Sequence, residues 1–205
     1  MTQIKNLIFD LGVVLVNLNR GECMNAFKNL GIDNIEEMTS LALHNGIFGN
    51  YEQGLLTTGE FYDEVRALAK KDLSDEEISA AWLLMVNDLP VYKLERLLQL
   101  KKQYRLFLLS NTNELHWKRC ADTMFCYEDK TVGDFFEKRW LSYEIHLLKP
   151  SQEIFEYVLA DGGLKAEETF FIDDAGANCD AAKSLGIKTY QPQPYEDWSP
   201  VFNLK

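Results

Sequence analysis

The sequence has no apolar run approaching the ~20 residues that a membrane-crossing helix needs, so no membrane partner is expected. It is short of positive charge. Lysine and arginine total 21 against 32 aspartates and glutamates, a formal net charge of −11, and no basic run relieves the surplus. That argues against a nucleic-acid partner. An anionic substrate has to be drawn by local positive charge, not by the protein as a whole. The four cysteines (Cys23, Cys120, Cys126 and Cys179) form no CxxC pair, and no secretory leader pattern precedes them. The expectation is reduced thiols in a cytoplasmic protein, with Cys120 and Cys126 too few to hold zinc. Internal repeats and low-complexity tracts are missing, and no convincing strand is seen between residues 17 and 88.

What is present suits a soluble globular chain, with 46% hydrophobic and 26% charged residues over 205 positions. That length supports one full core and a small second module. The chain is organised around residues 4–15. Leu7, Ile8 and Phe9 end an apolar run of the kind a strand buried on both faces requires. Asp10 closes that run, with Gly12 two residues on. In open parallel sheets, ligands bind outside the carboxyl ends of strands. A carboxylate there can attack phosphorus and form an aspartyl-phosphate. Equally, Asp10 can cap a turn before Gly12.

Downstream, helices are expected over 20–30, stopped by Gly31, and over 34–43. A loop punctuated by Gly46, Gly49 and Gly54 follows. Thr58 is the expected N-cap of a helix carrying Phe61, Val65 and Leu68. Ser74 and Glu77 form a capping box for a helix that runs to Val86 and is apolar nearly all round, which implies burial between modules or subunits. Asn87 to Pro90 is the return linker. From Val91 the pattern alternates: helix 91–102, strand 105–109, a helix to about Phe125, a loop over 126–134 and a strand near 137–141. Then come helix 152–160 behind Ser151, strand 169–172, helix 177–185 and strand 187–190. The economical architecture is an α/β core with a helical insertion.

Several apolar strands end in reactive groups: Asp10, Ser110-Asn111 and Asp173-Asp174. Parallel strands bring such ends to one edge, where Lys149, just before a helix, can join them. Phosphoryl transfer needs an in-line nucleophile, which Asp10 supplies, and fixed donors for three equatorial oxygens. The Ser110 hydroxyl, backbone N–H groups and the Lys149 ammonium meet that need. Carboxylate and phosphate repel, so a divalent cation belongs between them. Mg²⁺ prefers oxygen ligands and keeps several waters. Asp10, Asp174 and a backbone carbonyl near Gly12 suit it, with Asp173 assisting directly or through water. Ser110 and Asn111 also make ordinary helix caps, and Lys149 an ordinary surface lysine. The adjacent carboxylates Asp173 and Asp174 repel each other and fit a cation better than a turn.

These residues resemble the haloacid dehalogenase-like (HAD) hydrolase superfamily across nearly the whole chain. The matching stretches are Phe9-Asp10-Leu11-Gly12-Val13-Val14-Leu15, Leu109-Ser110-Asn111-Thr112-Asn113, Lys149-Pro150 behind Leu141-Ser142-Tyr143-Glu144, and Phe171-Ile172-Asp173-Asp174 with Asn178. The bacterial glucose-1-phosphate phosphatase group resembles the chain most, with the phosphatase domain of soluble epoxide hydrolases behind it. The resemblance implies a Rossmann-like parallel-sheet core of residues 1–16 and 89–205 and an inserted helical cap of 17–88. It implies Mg²⁺-dependent hydrolysis of a small phosphorylated metabolite, a sugar phosphate among the candidates, by a monomer or homodimer. Catalysis falls to Asp10, Ser110 and Lys149. Phosphate binding falls to Leu11, Gly12, Ser110, Asn111 and Lys149, and metal binding to Asp10, Gly12, Asp173 and Asp174.

One departure stands out. Most phosphatases of the superfamily carry a second Asp two residues after the nucleophile, as general acid and base, and here that position is Gly12. Such assistance is typically worth about 10²–10⁴-fold, and its loss matters least for a good leaving group such as an anomeric phosphate. The glucose-1-phosphate phosphatase group lacks that Asp too. Dehalogenases also lack it, but they carry a Tyr there and use no metal, so Asp173-Asp174 argues against dehalogenation. His116, one to two turns into the helix after Ser110, is the first histidine to consider as a replacement, ahead of His44 and His146; each is more often a packing or surface group. Trp82 and Trp117 read as packing groups. Phe48, Asn50 and Tyr51 are candidates for closing the cap on substrate. The rival readings are a non-catalytic phosphometabolite-binding protein, a 2-haloacid dehalogenase, and a partner-binding role through helix 75–86.

Overall fold

The computed structural model describes residues 3–35 and 46–203. Five strands form one parallel sheet: β1 (Asn6–Phe9) at its centre, β4 (Arg105–Ser110) and β5 (Lys138–Leu141) to one side, β6 (Thr169–Ile172) and β7 (Lys188–Tyr190) to the other. Leu7, Ile8 and Phe9 are fully buried. Leu7 and Phe9 join the cluster of Phe125, Phe135 and Trp198, while Ile8 joins Trp140, Phe155 and Phe171 in the opposite layer. That alternation is the period of a strand covered on both faces. Each such side chain contributes about 1.5–3 kcal/mol of burial. In register, Phe9 lies opposite Leu108 and Ile172, so the residues after β1, β4 and β6 emerge side by side. The expected α/β architecture is therefore the observed one.

Between β1 and β4 run α1 (Arg20–Asn29), α2 (Ile47–Glu52), α3 (Thr58–Ala69) and α4 (Asp75–Leu83). They bury a cluster of their own around Phe27, Phe48, Phe61 and Trp82. The helix expected over 34–43, with His44 just beyond it, falls largely outside the described residues. Thr57, not Thr58, caps α3, in a capping box with Glu60; Thr58 Oγ1 is turned to Glu114 instead. Ser74 and Glu77 form the expected box on α4.

Further expectations change. The glycine-punctuated segment holds α2, a helix too short to show a period, in which Phe48 and Tyr51 are buried on one side. The segment 17–88 does contain strands. Asn17–Leu18 (β2) pairs antiparallel with Val86–Asp88 (β3), so the outgoing and returning chains run side by side, with Asn17 Nδ2 donating to Asp88 at 3.0 Å. And α4 ends at Leu83. It buries Ile78, Ala81 and Trp82 while Leu84, just after it, is 45% exposed, so its apolar character is one-sided.

The chain continues through α5 (Val91–Leu100), α6 (Glu114–Thr123) and α7 (Val132–Phe135), a turn of helix within the expected loop 126–134. After β5 come α8 (Ser142–Ile145), α9 (Gln152–Gly162) and, following β6, α10 (Gly176–Ser184).

Candidate active site

The carboxyl edge of the sheet gathers Asp10, Ser110, Lys149 and Asp173. Asp10 is 8% exposed, Ser110 1%, Lys149 3% and Asp173 0%. Lys149 Nζ donates to Asp10 Oδ1 at 2.7 Å, to Asp173 Oδ2 at 2.6 Å and to the Leu109 carbonyl at 3.1 Å. Each ammonium proton thus has an acceptor. Burial works against the lysine's charge, but Asp10 and Asp173 outweigh it and hold the ammonium above its ordinary range. Asp10 is pushed upward by its own burial, with Asp173 and Asp174 adding to the shift and Lys149 opposing it.

Two residues expected to touch phosphate or metal are engaged elsewhere. Asp173 accepts from Ala175 N–H at 2.8 Å and from Asn178 Nδ2 at 3.0 Å, besides Lys149. Its carboxylate is occupied in aiming the lysine. The Asn111 side chain clamps the Lys149 backbone, Nδ2 to the carbonyl and Oδ1 from the N–H, both at 2.9 Å. That clamp links residues 38 positions apart, which no local pattern discloses. Asp174 is less buried, and its carboxyl is raised by burial and by Asp173.

Asp10, Asp173 and Asp174 face one lysine, an excess of negative charge that a cation would relieve. Among the described residues no three His, Cys, Asp or Glu side chains form a metal cage. Two carboxylates, a carbonyl and waters is an all-oxygen donor set that suits Mg²⁺, whereas zinc sites are built mainly on Cys and His. Asp10, Asp174 and the Gly12 carbonyl fit it.

Beside this edge lies a cavity of about 190 Å³. Leu11, Gly12, Ser110 and Asn111 form its floor, and Phe48, Trp82, Glu52 and Arg20 come from the cap helices. Of the residues expected at a closing loop, Phe48 is in the lining and Asn50 and Tyr51 are not; Tyr51 stacks on Phe61 at 4.3 Å in the cap interior. Trp82 is a wall as well as a packing group.

His116 also lines the cavity, but both ring nitrogens are committed. Nε2 donates to the Trp82 carbonyl at 2.9 Å, and Nδ1 accepts from Asn113 Nδ2 at 3.1 Å. The ring stacks on Trp82 at 4.5 Å. Burial lowers its pKa to about 4, against the pull of the Trp82 carbonyl. This neutral, fully bonded imidazole ties α4 to α6. His146 similarly donates from Nδ1 to the Gln53 carbonyl at 2.9 Å, away from Lys149.

Glu52 is the residue the sequence reading missed. It ends α2, half-buried on the cavity wall, and its pKa is raised to about 7 by burial, with Arg20 opposing. Its only local signal is Gly54 two residues later. At φ +70° that glycine passes so close to the core that a Cβ would lie 2.1 Å from the Tyr143 carbonyl oxygen.

Comparison with known proteins places the chain in a family. A family model described as haloacid dehalogenase-like hydrolase matches residues 4–186. The chain is 35% identical over 195 residues, 95% of both sequences, to a D-ribitol-5-phosphate phosphatase of Bacteroides thetaiotaomicron. A crystal structure of a HAD family enzyme from Bacteroides thetaiotaomicron, in complex with magnesium and inorganic phosphate, superposes with a TM-score of 0.93 at 48% identity, covering 97% of this chain and 99% of that one. A HAD-like hydrolase structure from Porphyromonas gingivalis superposes at 0.91 with 37% identity, covering 98% and 97%.

Proposed function

This chain belongs to the haloacid dehalogenase-like hydrolases, and on that premise we propose that it hydrolyses a small phosphate monoester, a sugar or sugar-alcohol phosphate, using Mg²⁺. The observation that carries the reading is the chain of contacts from Asp10 to Lys149 to Asp173, at 2.7 and 2.6 Å, on the sheet edge beside the cavity. The activity named for the D-ribitol-5-phosphate phosphatase supports the substrate class, and the magnesium and phosphate bound to the superposed enzyme support the cofactor.

The roles follow from position. An Asp10 oxygen attacks phosphorus as the ester oxygen leaves, giving an aspartyl-phosphate that water then hydrolyses. Lys149, the Ser110 hydroxyl and the N–H groups after β1 and β4 hold the equatorial oxygens. Asp173 and Asn111 position Lys149, one through its ammonium and the other through its backbone. Asp10, Asp174 and the Gly12 carbonyl hold Mg²⁺, which screens the nucleophile from the phosphate dianion.

The test is phosphate release from D-ribitol 5-phosphate, α-glucose 1-phosphate and p-nitrophenyl phosphate, with Mg²⁺ and with EDTA, for wild type and Asp10→Asn. Release that needs both the metal and Asp10 is expected, with Asp10→Asn losing at least about 10³-fold. No release from any ester, the activated aryl ester included, would leave a phosphometabolite-binding protein as the better reading.

A further inference from the structure

We infer that Glu52 is the proton-transfer group of this site: its carboxyl protonates the departing ester oxygen, and its carboxylate then takes a proton from the attacking water. The inference rests on the phosphatase reading above and adds to it the residue that does the work for which Gly12 has no side chain.

The first argument is elimination around the cavity. Its described titratable side chains are Arg20, Glu52 and His116. An arginine stays protonated in proteins. His116 has its Nε2 proton on the Trp82 carbonyl and its Nδ1 lone pair on Asn113. Glu52 alone has an unengaged proton-transfer group: its carboxyl makes no hydrogen bond or ion pair among the described residues. The charged group facing it is Arg20, from α1, which opposes the upward shift without forming a salt bridge.

The second argument is placement. Asp10 and Lys149 lie on the sheet edge, and Glu52, from α2, lines the cavity adjoining that edge together with Gly12, Ser110 and Asn111, the space open to a leaving group. The end of α2 is pinned to the core. Ser142 Oγ donates to the Glu52 carbonyl at 2.5 Å, and also links to Thr112, which lies beyond Ser110 in the cavity lining. Gln53 and His146 exchange two hydrogen bonds of 2.9 Å, Gln53 Nε2 to the His146 carbonyl and His146 Nδ1 to the Gln53 carbonyl. Gly54 allows this close approach. A general acid needs such fixed aim, and a glutamate poised near neutrality can both give and take a proton.

The steps balance. As an Asp10 oxygen bonds to phosphorus, the bond from phosphorus to the ester oxygen breaks, and that oxygen takes the Glu52 proton and leaves as the alcohol. Water then attacks the aspartyl-phosphate and gives its proton to the Glu52 carboxylate. The bond from phosphorus to Asp10 breaks, inorganic phosphate leaves, and both carboxyl groups return to their starting states.

Leaving-group dependence tests this in the Mg²⁺-loaded enzyme. Glu52→Gln keeps the shape of a side chain that has no partner to lose, and an unchanged Tm certifies its fold. On D-ribitol 5-phosphate, whose alkoxide needs a proton, kcat/KM should fall about 10²–10⁴-fold. On p-nitrophenyl phosphate, whose phenolate leaves unaided, it should fall less than about 10-fold, with a burst of nitrophenol before a slower steady state as unassisted hydrolysis of the aspartyl-phosphate limits turnover. Equal losses on both esters, or no loss on either in an active wild type, would overturn the role of Glu52 and leave the phosphatase reading intact. A wild type inert on both esters would sink the two together.

Discussion

On the sheet edge that forms the floor of the site, beside the cavity, Asp10, Lys149 and Asp173 are held together at 2.6–2.7 Å, whereas on the cap wall the Glu52 and Arg20 side chains make no hydrogen bond or ion pair among the described residues. The floor is built for a group that every phosphate ester shares, so its donors can be fixed in advance, and prearranged dipoles lose little on meeting charge. The wall meets the part of the ester that varies. Polar groups left open there gain their partners only when a leaving group arrives. The same contrast holds for the two sets of supports. Asn111 and Asp173 lock the lysine inside the core, while Ser142, Gln53 and His146 only fasten the far end of α2.

Removing the floor's cation should give the largest effect. Lys149→Met leaves Asp10 and Asp173 facing each other without their shared donor. Breaking a buried pair from one side typically costs about 3–5 kcal/mol, and losing a fixed donor to the transferring group costs about 10²–10³-fold in turnover. Rates per folded molecule, read beside urea unfolding, separate the two. A variant with wild-type stability and turnover would show that the lysine is not part of a preorganised floor.

A smaller loss is expected where the wall is fastened. Gly54→Ala puts a methyl group 2.1 Å from the Tyr143 carbonyl oxygen, in a backbone conformation at φ +70°. Gly163 is the natural control, because its φ is +59° yet nothing lies within 4 Å of its added Cβ. Both alanines carry left-handed strain of about 1–3 kcal/mol, but only the first must also push α2 off the core. We expect Gly54→Ala to lose about 10-fold in kcat/KM on the sugar-alcohol ester, in line with a small misplacement of an aimed group, while Gly163→Ala loses stability alone. Equal kinetics in the two variants would mean that the fastening does not aim the wall.

The contrast between floor and wall also explains what could be read in advance. Leu7 to Asp10, Leu109 to Asn113 and Phe171 to Asp174 each combine a short apolar run with a reactive end, so strand, edge and chemistry are all local signals. The parallel sheet and the convergence of Asp10, Ser110 and Asp173 at its edge followed from them, with Lys149 added from its place before a helix. What those side chains bond to was not local. Asn111 reaches Lys149 across 38 positions, and Asp173 turns to the lysine, because tertiary packing selects partners that residue type alone does not. The β2 and β3 strands escaped notice for a related reason. Strands of two and three residues are too short to alternate visibly, and Asn17 finds Asp88 only across 71 positions. Glu52 sat among three glycines, between Gly49 and Gly54, that suggested an open loop. The six-residue helix there is held by Phe48 and Tyr51 packing into the cap, and a helix of that length is sustained by tertiary contact rather than by its own propensity.

The smallest effect concerns stability alone, at the join between wall and floor. His116 links the two by bonding the Trp82 carbonyl of α4 and the Asn113 side chain at the start of α6. Its pKa is lowered from 6.5 to about 4, chiefly by burial. A depressed pKa means that the unfolded chain binds the proton first as the pH falls. The stability due to neutral His116 is therefore whole above pH 6.5 and drains away as the pH falls to about 4. Over that window the loss amounts to about 3 kcal/mol. His116→Gln keeps a polar side chain at this join but does not titrate, so its deficit in unfolding free energy at pH 7, of the order of 1 kcal/mol for an imperfectly replaced hydrogen bond, should shrink or reverse by pH 4.5 when followed by urea unfolding. A deficit that stays constant across that range would show that the imidazole titrates as an exposed one does. The join would then be as open as the wall, and the boundary between the two regions would have to be drawn on the core side of Trp82.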